Sequence, residues 1–598
     1  MNAPVEAMQQ IGGLLQAGRY PDAHDELERV VVEHPDFAEA HRLLGGCKAA
    51  LGDLAGAEAP LRRALALDPT WAPTLTTLGE LLLNLGRVAE AEPLLRRAAT
   101  RDPRAALVFA RHCNDRRRPQ EALAAVAPFI AKGQVDAELV TQHVAALSML
   151  GRADEAVLGY QKFAAAIPNN PLAAHAHAIA LDAANRPVEA ANEAQRALDA
   201  GHNTPAVLYT QARSLIALGD FEHAERALRD VVRQAPRHVD AQNSLARLIW
   251  MRSGDVAEST SMIDEALRAS RDDETLLAAK AAVLQGAGDA RAAFECLQSK
   301  TGSPQTSPAL LVRAGLAALE FDSAAALELA GRALRANAGD NAALNLLVAA
   351  QLGVGDAKGA LNNCETLLKT APDDQYLIAL QTTAWRLLGD ARYAEYCDYR
   401  NLIVPSQLEA PAGWSDRLQF LADVKRSLDR LHDRLSHPLL FQSLRNGTET
   451  TGDLARSDDP VIQSLFKVFD APIREYMARI GAGDDALRRR NRGAYRFNGG
   501  WSVRLRSAGY HNSHVHPRGW ISSACYIDLP DGMDESKTDG CLSFGAPSVH
   551  TTPSLSVERV VRPHVGMLVL FPSYFWHGTV PFTSERTRLT VAFDVVPA

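Results

Sequence analysis

Cysteine is scarce in this chain: seven in 598 residues, at Cys47, Cys113, Cys296, Cys364, Cys397, Cys525 and Cys541, with no C-x-x-C pair. That pattern argues against a disulfide framework or a thiolate zinc site and predicts reduced, mostly buried thiols in a cytoplasmic protein. Long apolar runs are also missing. None approaches the ~20 residues that span a bilayer, and Met1 to Gln10 has no basic flank followed by an apolar stretch, so neither a membrane anchor nor a leader is expected. Neither sign of charge dominates, with 63 Lys and Arg against 71 Asp and Glu. A nucleic-acid or membrane partner is therefore not expected, and the basic run Arg488 to Arg492 reads as a solvated loop.

At 598 residues the chain is too long for one hydrophobic core, which leaves several domains or a repeat array. The first 390 residues are rich in Ala, Leu and Arg and repeat every thirty-four: Gly18, Gly52, Gly86; Ala23, Ala57, Ala91; Pro35, Pro69, Pro103. The register recovers through Ala122, Ala156, Ala190 and Ala224, then passes Gly288 and Ala293 to Gly355, Ala360 and Pro372. Such a period fits two antiparallel helices per unit. Gly52 or Gly86 closes the first helix, Ala57 or Ala91 lets the helices approach, and Pro69 or Pro103 ends the second. Leu44-Gly45 with Ala57, Leu61, Ala64 and Pro69, and Leu78-Gly79 with Ala91, Leu95, Ala98 and Pro103, resemble the tetratricopeptide repeat. The resemblance covers roughly residues 1–390, about ten or eleven units, with a departure near 255–335. It implies an all-α solenoid whose concave face binds a protein or peptide partner.

From about Tyr393 aromatics and prolines become more common, and residues 391–414, with Val404-Pro405-Ser406 and Ala410-Pro411-Ala412-Gly413, read as a linker. Trp414 to His432 predicts a helix through Leu418, Leu421, Val424, Leu428 and Leu431, and a second helical stretch runs from about Pro460 to Ile480. Beyond Arg490 short strands are expected at Trp501 to Arg506, Ser513 to His516, Ile521 to Leu529, Cys541 to Phe544, Met567 to Phe571 and Leu589 to Val596, with turns at Asp531-Gly532, Asp539-Gly540 and His564-Val565-Gly566. These make residues 415–598 an α+β domain built on a sandwich or barrel of antiparallel strands.

Within that domain His514-Val515-His516-Pro517 is followed by Phe571 to His577 and then Arg586-Thr587-Arg588-Leu589-Thr590. Side chains alternate along a strand, so His514 and His516 share a face and one metal ion could take both. His577, at the end of a second apolar strand, would complete a facial triad open to substrate on its other side. Alternative third ligands are His511, Asp528 and Asp539, the last fitting a turn with Gly540 better; His550 and His564 lie near loops, outside the set. Trp501, Arg504 and Tyr526 are candidates to line the pocket. Cys525 and Cys541 read as core residues.

Taken in this order with Asp539 to Phe544, Gly566 and Leu568 to Pro572, these residues resemble the Fe(II)- and 2-oxoglutarate-dependent dioxygenases. The resemblance implies a double-stranded β-helix (jelly-roll) core over roughly residues 415–598, with Fe(II), the cosubstrate 2-oxoglutarate and O2. It assigns His514 and His577 as metal ligands, with His516 where the family has a carboxylate, so three neutral nitrogens meet the ion and Zn(II) also fits. It points to Arg588 with Thr590 as the anchor of the cosubstrate carboxylate, Arg586 being a rival. The implied activity is hydroxylation of a protein or peptide recruited by the repeats. The alternatives are a three-histidine metalloenzyme without 2-oxoglutarate, which would not need the Arg588/Thr590 pair, and a non-catalytic repeat adaptor.

Overall fold

The computed structural model describes residues 3–303, 306–433, 443–530 and 536–598. The turn expected at Asp531-Gly532 lies outside them. The chain divides into two compact units: Met1–Ser214 with Arg335–Asp340, and Leu215–Leu334 with Asn341–Ala598.

The first unit is a series of paired helices such as Ala38–Ala50 with Leu54–Leu67 and Ala72–Asn84 with Val88–Ala99. The repeat signature has the physical meaning expected of it. Gly52 and Gly86 take φ of 88° and 72°, the left-handed conformation that closes a helix where other residues would be strained. Gly79 answers a packing need instead, since a Cβ there would lie 2.6 Å from Leu95 Cγ. Ala57 and Ala91 are fully buried between helices. Pro103 opens the helix Pro103–Asp115 and does not end the one before, which stops at Ala99. A first position costs proline nothing, because that N–H has no partner within the helix.

In the second unit the departure near 255–335 does not interrupt the helices, which continue as Val256–Ala269, Glu274–Gly286, Ala290–Thr301 and Pro308–Ala318. Among the described residues twenty-three helices precede residue 390, about eleven pairs. Nine strands follow: β1 (Val404–Gln407), β2 (Leu444–Glu449), β3 (Tyr495–His511), β4 (Ile521–Asp528), β5 (Leu542–Phe544), β6 (Arg559–Val561), β7 (Met567–Pro572), β8 (His577–Thr579) and β9 (Arg588–Pro597). They form a six-stranded sheet ordered β1-β7-β4-β9-β3-β2 and a three-stranded sheet ordered β6-β5-β8, all neighbours antiparallel. A helical array followed by an α+β domain is thus the architecture of the chain.

Several expectations are corrected. Residues 391–414 are not a free linker: β1 pairs with β7 along Val404↔Leu570 to Gln407↔Met567, and Leu402, Ile403 and Leu408 are buried. Nor do the repeats end in a core of their own. One apolar core runs from Leu346, Ile378 and Trp385 on repeat-type helices, through Phe420 and Ile473, to Leu568, Phe571 and Trp576. Trp576 Nε1 donates to Thr383 Oγ1 at 2.9 Å, and Arg386 donates to the carbonyls of Gly545 and Ser556 at 2.8 and 3.0 Å. Helix Arg417–His432 buries Phe420, Leu421, Val424 and Leu428, leaving Leu418 and Leu431 exposed. Residues 460–480 form two helices, Pro460–Val468 and Asp470–Ile480, because Pro472 has no N–H to return to the carbonyl of Val468. Ser513 to His516 is no strand either; His514 makes an isolated bridge with His577.

Candidate metal centre

The sequence places two histidines near each other, and the backbone brings in the third. His514 and His577 exchange backbone hydrogen bonds, N to O, at 2.9 and 3.0 Å, so the chain after β3 is stitched to the start of β8. His516 N donates to Ser573 O at 3.0 Å, fixing the next turn against the end of β7. His577 therefore begins a short strand and does not finish a long one. The three imidazoles converge: one ligand atom from each lies within 4.8 Å of the others. Ring centroids stand 4.3 Å apart for His514 and His577, 5.0 Å for His516 and His577, and 5.2 Å for His514 and His516.

Hydrogen bonds behind the rings fix the tautomers. His514 Nδ1 lies 2.8 Å from Asn512 O and His577 Nδ1 lies 2.9 Å from Phe575 O. A carbonyl only accepts, so both Nδ1 atoms carry the proton and both Nε2 atoms present a lone pair. His516 Nδ1 lies 2.6 Å from Asp594 Oδ1, a charged acceptor that leaves its Nε2 bare in the same way. The Nε2 atoms of His514 and His516 stand 3.3 Å apart. That spacing matches two nitrogens ~2.1 Å from one ion and separated by ~100° at it, about 3.2 Å. The donor set fits Fe(II), and equally Zn(II), with the outer hydrogen bond that ligating histidines usually make.

Burial shapes the protonation of the cluster. It holds His514 down to about 3 and His577 well below the ordinary imidazole range, the neighbouring imidazoles adding to the effect at each. At His516 burial works in the same direction, but the charge and hydrogen bond of Asp594 outweigh it and raise the group.

The cavity above the imidazoles, about 450 Å³ with its mouth, is lined by Trp501, Leu542, Phe571, His511, Arg588 and Thr590 among others. Arg588 opens β9 and is 3% exposed. Its guanidinium lies 5.0 Å above the ring of Tyr526, while its Nε and Nη1 and the Tyr526 hydroxyl are buried without a hydrogen-bond partner. Burying such donors unpaired is costly, and a carboxylate in the cavity would satisfy the guanidinium. Thr590 Oγ1 contacts Val503 O at 3.4 Å. Arg586, by contrast, is half-exposed and its guanidinium lies 3.5 Å from Asp528.

Of the other candidates, His511 lines the cavity but its Nδ1 meets Ser443 Oγ at 2.9 Å, and it is not part of the three-histidine cluster. Asp528 faces Arg586 and Lys425, Asp539 sits in its turn, and His550 meets the carbonyl of Glu320. Trp501 lines the cavity, with its ring 5.5 Å from that of His516, whereas Arg504 is spent on Asp433 and Asp429. Cys525 and Cys541 are buried free thiols. Sequence reasoning missed Asp594. Its signal was a lone carboxylate within Val591-Ala592-Phe593-Asp594-Val595-Val596.

The two family models that match the chain agree with this layout. The tetratricopeptide repeat model matches residues 13–70, 76–137 and 209–274. The model of the family described as "Putative 2OG-Fe(II) oxygenase" matches residues 499–594. No curated protein matches the chain. Among solved structures, yeast Tom70 is 14% identical with a TM-score of 0.29, over 67% of this chain and 98% of that one. The human IFIT1 dimer with PPP-AAAA is 15% identical at a TM-score of 0.28, over 63% and 93%. Naa15/Naa10 bound to HypK-THB is 14% identical at a TM-score of 0.24, over 65% and 67%. The chain thus carries tetratricopeptide repeats and, after them, a domain matched by that oxygenase family, within which all three converging histidines lie.

Proposed function

We propose that the protein is a cytoplasmic Fe(II)- and 2-oxoglutarate-dependent oxygenase that hydroxylates a protein or peptide held on the concave face of its repeats. The observation that carries the reading is the pairing, in one cavity, of three bare imidazole nitrogens with a buried arginine whose Nε and Nη1 lack partners. His514, His516 and His577 would hold the iron. Arg588, stacked on Tyr526 and beside Thr590, would take the far carboxylate of 2-oxoglutarate through charge-assisted hydrogen bonds. With O2, such a centre supplies oxidation of an unactivated C–H bond coupled to conversion of 2-oxoglutarate into succinate and CO2. Trp501, Leu542 and Phe571 give the cavity apolar walls. The two antiparallel sheets would be the walls of a double-stranded β-helix. Tetratricopeptide repeats generally bind proteins, which favours a macromolecular substrate over a small one.

The test is anaerobic reconstitution with Fe(II), followed by 2-oxoglutarate. A visible metal-to-ligand charge-transfer band, then succinate formation on admitting O2, is the expected result. Metal binding with neither band nor succinate would overturn the 2-oxoglutarate reading. Among the described residues no carboxylate joins the converging set, which favours, in that event, a three-histidine Zn(II) site. A protein that binds no metal would be a repeat adaptor.

A further inference from the structure

The converging side chains are formally neutral, yet a carboxylate stands directly behind one of them. Asp594 lies on β9 among buried apolar residues, Val591, Phe593 and Val595, and is itself 7% exposed. Its Oδ1 accepts from His516 Nδ1 at 2.6 Å and from Ser522 Oγ at 2.7 Å. Ser522 Oγ is in turn 2.8 Å from Ser573 Oγ, and the carbonyl of Ser573 holds the backbone N–H of His516. The ring is thus fixed from its main chain and from its outer nitrogen by one connected network. Gly519 makes room for it: a Cβ there would lie 2.3 Å from Ser573 Oγ and 3.2 Å from Asp594 Cγ.

We propose that Asp594 is a positioning residue that gives the centre, through the Nδ1–H of His516, the negative charge its ligands lack. The inference rests on the metal reading above. The asymmetry among the three histidines supports it. His514 and His577 rest on neutral carbonyls, whereas His516 alone rests on a carboxylate. An anionic acceptor draws the Nδ1 proton towards itself and makes Nε2 the strongest donor of the three. The argument also runs from the carboxylate outwards. A buried Asp is stabilised by a compensating positive charge, and among the described residues the ion pair open to Asp594 is with His516, whose ring is charged only when Nε2 also carries a proton. A divalent ion on the other side of that imidazole would provide the compensation through the ring.

The experiment is Co(II) titration of the full chain by d–d absorption and chelator competition, without 2-oxoglutarate, so that no turnover is needed. Asp594→Asn keeps the size and an acceptor oxygen but removes the charge; it is expected to weaken Co(II) binding by ~10–100-fold while the apo protein melts as the wild type does. Ser522→Ala removes the neighbouring hydrogen bond, keeps the charge, and should bind within a few-fold of wild type. In a His516→Ala background, Asp594→Asn should cause no further loss, because the effect travels through that ring. Wild-type affinity in Asp594→Asn would overturn the proposal, as would equal losses in Asp594→Asn and Ser522→Ala, which would mark a packing role. A further loss in the His516→Ala background would make Asp594 a direct ligand instead. Failure of the wild type itself to bind Co(II) would overturn the metal reading and the inference with it.

Discussion

Arg586 and Arg588 are two positions apart, and strand alternation would put them on one face. The structure separates them because β9 begins at Arg588: only Arg588 is in the pleat, buried in the cavity, while Arg586 precedes the strand and faces Asp528. Parity along a sequence says which side a residue faces and cannot say where a strand starts, so alternation alone left this choice open and only the resemblance favoured Arg588. Arg588→Ala is expected to raise the 2-oxoglutarate concentration for half-saturation by about two to four orders of magnitude, from ~3–5 kcal/mol for a broken buried pair, with Co(II) affinity little changed. Arg586→Ala should leave both within about twofold, as exposed pairs contribute little. His514 and His516 were legible as a pair because they stand two residues apart. Asp594 was not, because its partner His516 is seventy-eight residues away and only the fold joins them. His432 makes a different prediction. It is fully buried, with Nδ1 2.8 Å from Thr448 Oγ1 and Nε2 2.9 Å from Ser502 Oγ, and Ser502 gives its own proton to Thr590 O. Burial holds it down to about 3. The unfolded chain therefore takes up a proton that the fold refuses, so this stabilisation is complete above ~6.5 and is lost as pH falls from there towards about 3. Chemical denaturation across that window should show a shallower loss of stability in His432→Gln than in wild type.

The repeat helices were readable because each signature residue does one local job. Glycine closes a helix at Gly52 and Gly86, and at Gly79 it admits Leu95. Gly79→Ala tests the second role. Alanine favours helix over glycine by ~1 kcal/mol, yet the added Cβ would lie 2.6 Å from Leu95 Cγ, so a net loss of ~1–3 kcal/mol in thermal or chemical unfolding is expected. Leu95→Ala should turn the same substitution neutral or favourable. The β elements were less readable. Their number and rough positions follow from short apolar runs, but Ser513 to His516 has the pattern of a strand without the length of ladder that makes one. His514 reaches its place through a single bridge to His577. Val404 to Gln407 carries a proline and reads as a connection, yet it forms the sheet edge beside β7, a position where a missing N–H can be tolerated.

At the scale of the chain, the period-thirty-four pattern located the array but not where its cooperation with the β domain starts. Two periodicities in sequence do not require two cores, and the helix Gln375–Leu388 belongs to the core that also holds Phe571 and Trp576. A chain beginning near Ala410 would lack that helix and β1, exposing Trp576 and the open side of β7. It is expected to aggregate and to bind no Co(II). A chain beginning at Pro205, with the helix Pro205–Ala217 kept whole, retains all of the second unit and should bind Co(II) and turn over 2-oxoglutarate slowly without substrate. Near-UV circular dichroism and metal titration separate the two outcomes. Full activity of the Pro205 chain on the true substrate would show that the first unit has no part in recruitment. The hydrogen bonds that Thr552 donates to the carbonyls of Leu352 and Gly353, and that His550 makes to the carbonyl of Glu320, also bear on how such a chain can vary through descent. Duplication or loss of one unit between residues 354 and 388 would carry those partners away from each other by a whole repeat. The same event before residue 215 would leave them in register. Kindred chains should therefore differ in repeat number in their amino-terminal halves and hold constant the last units before the β domain, which the lengths of natural variants would reveal.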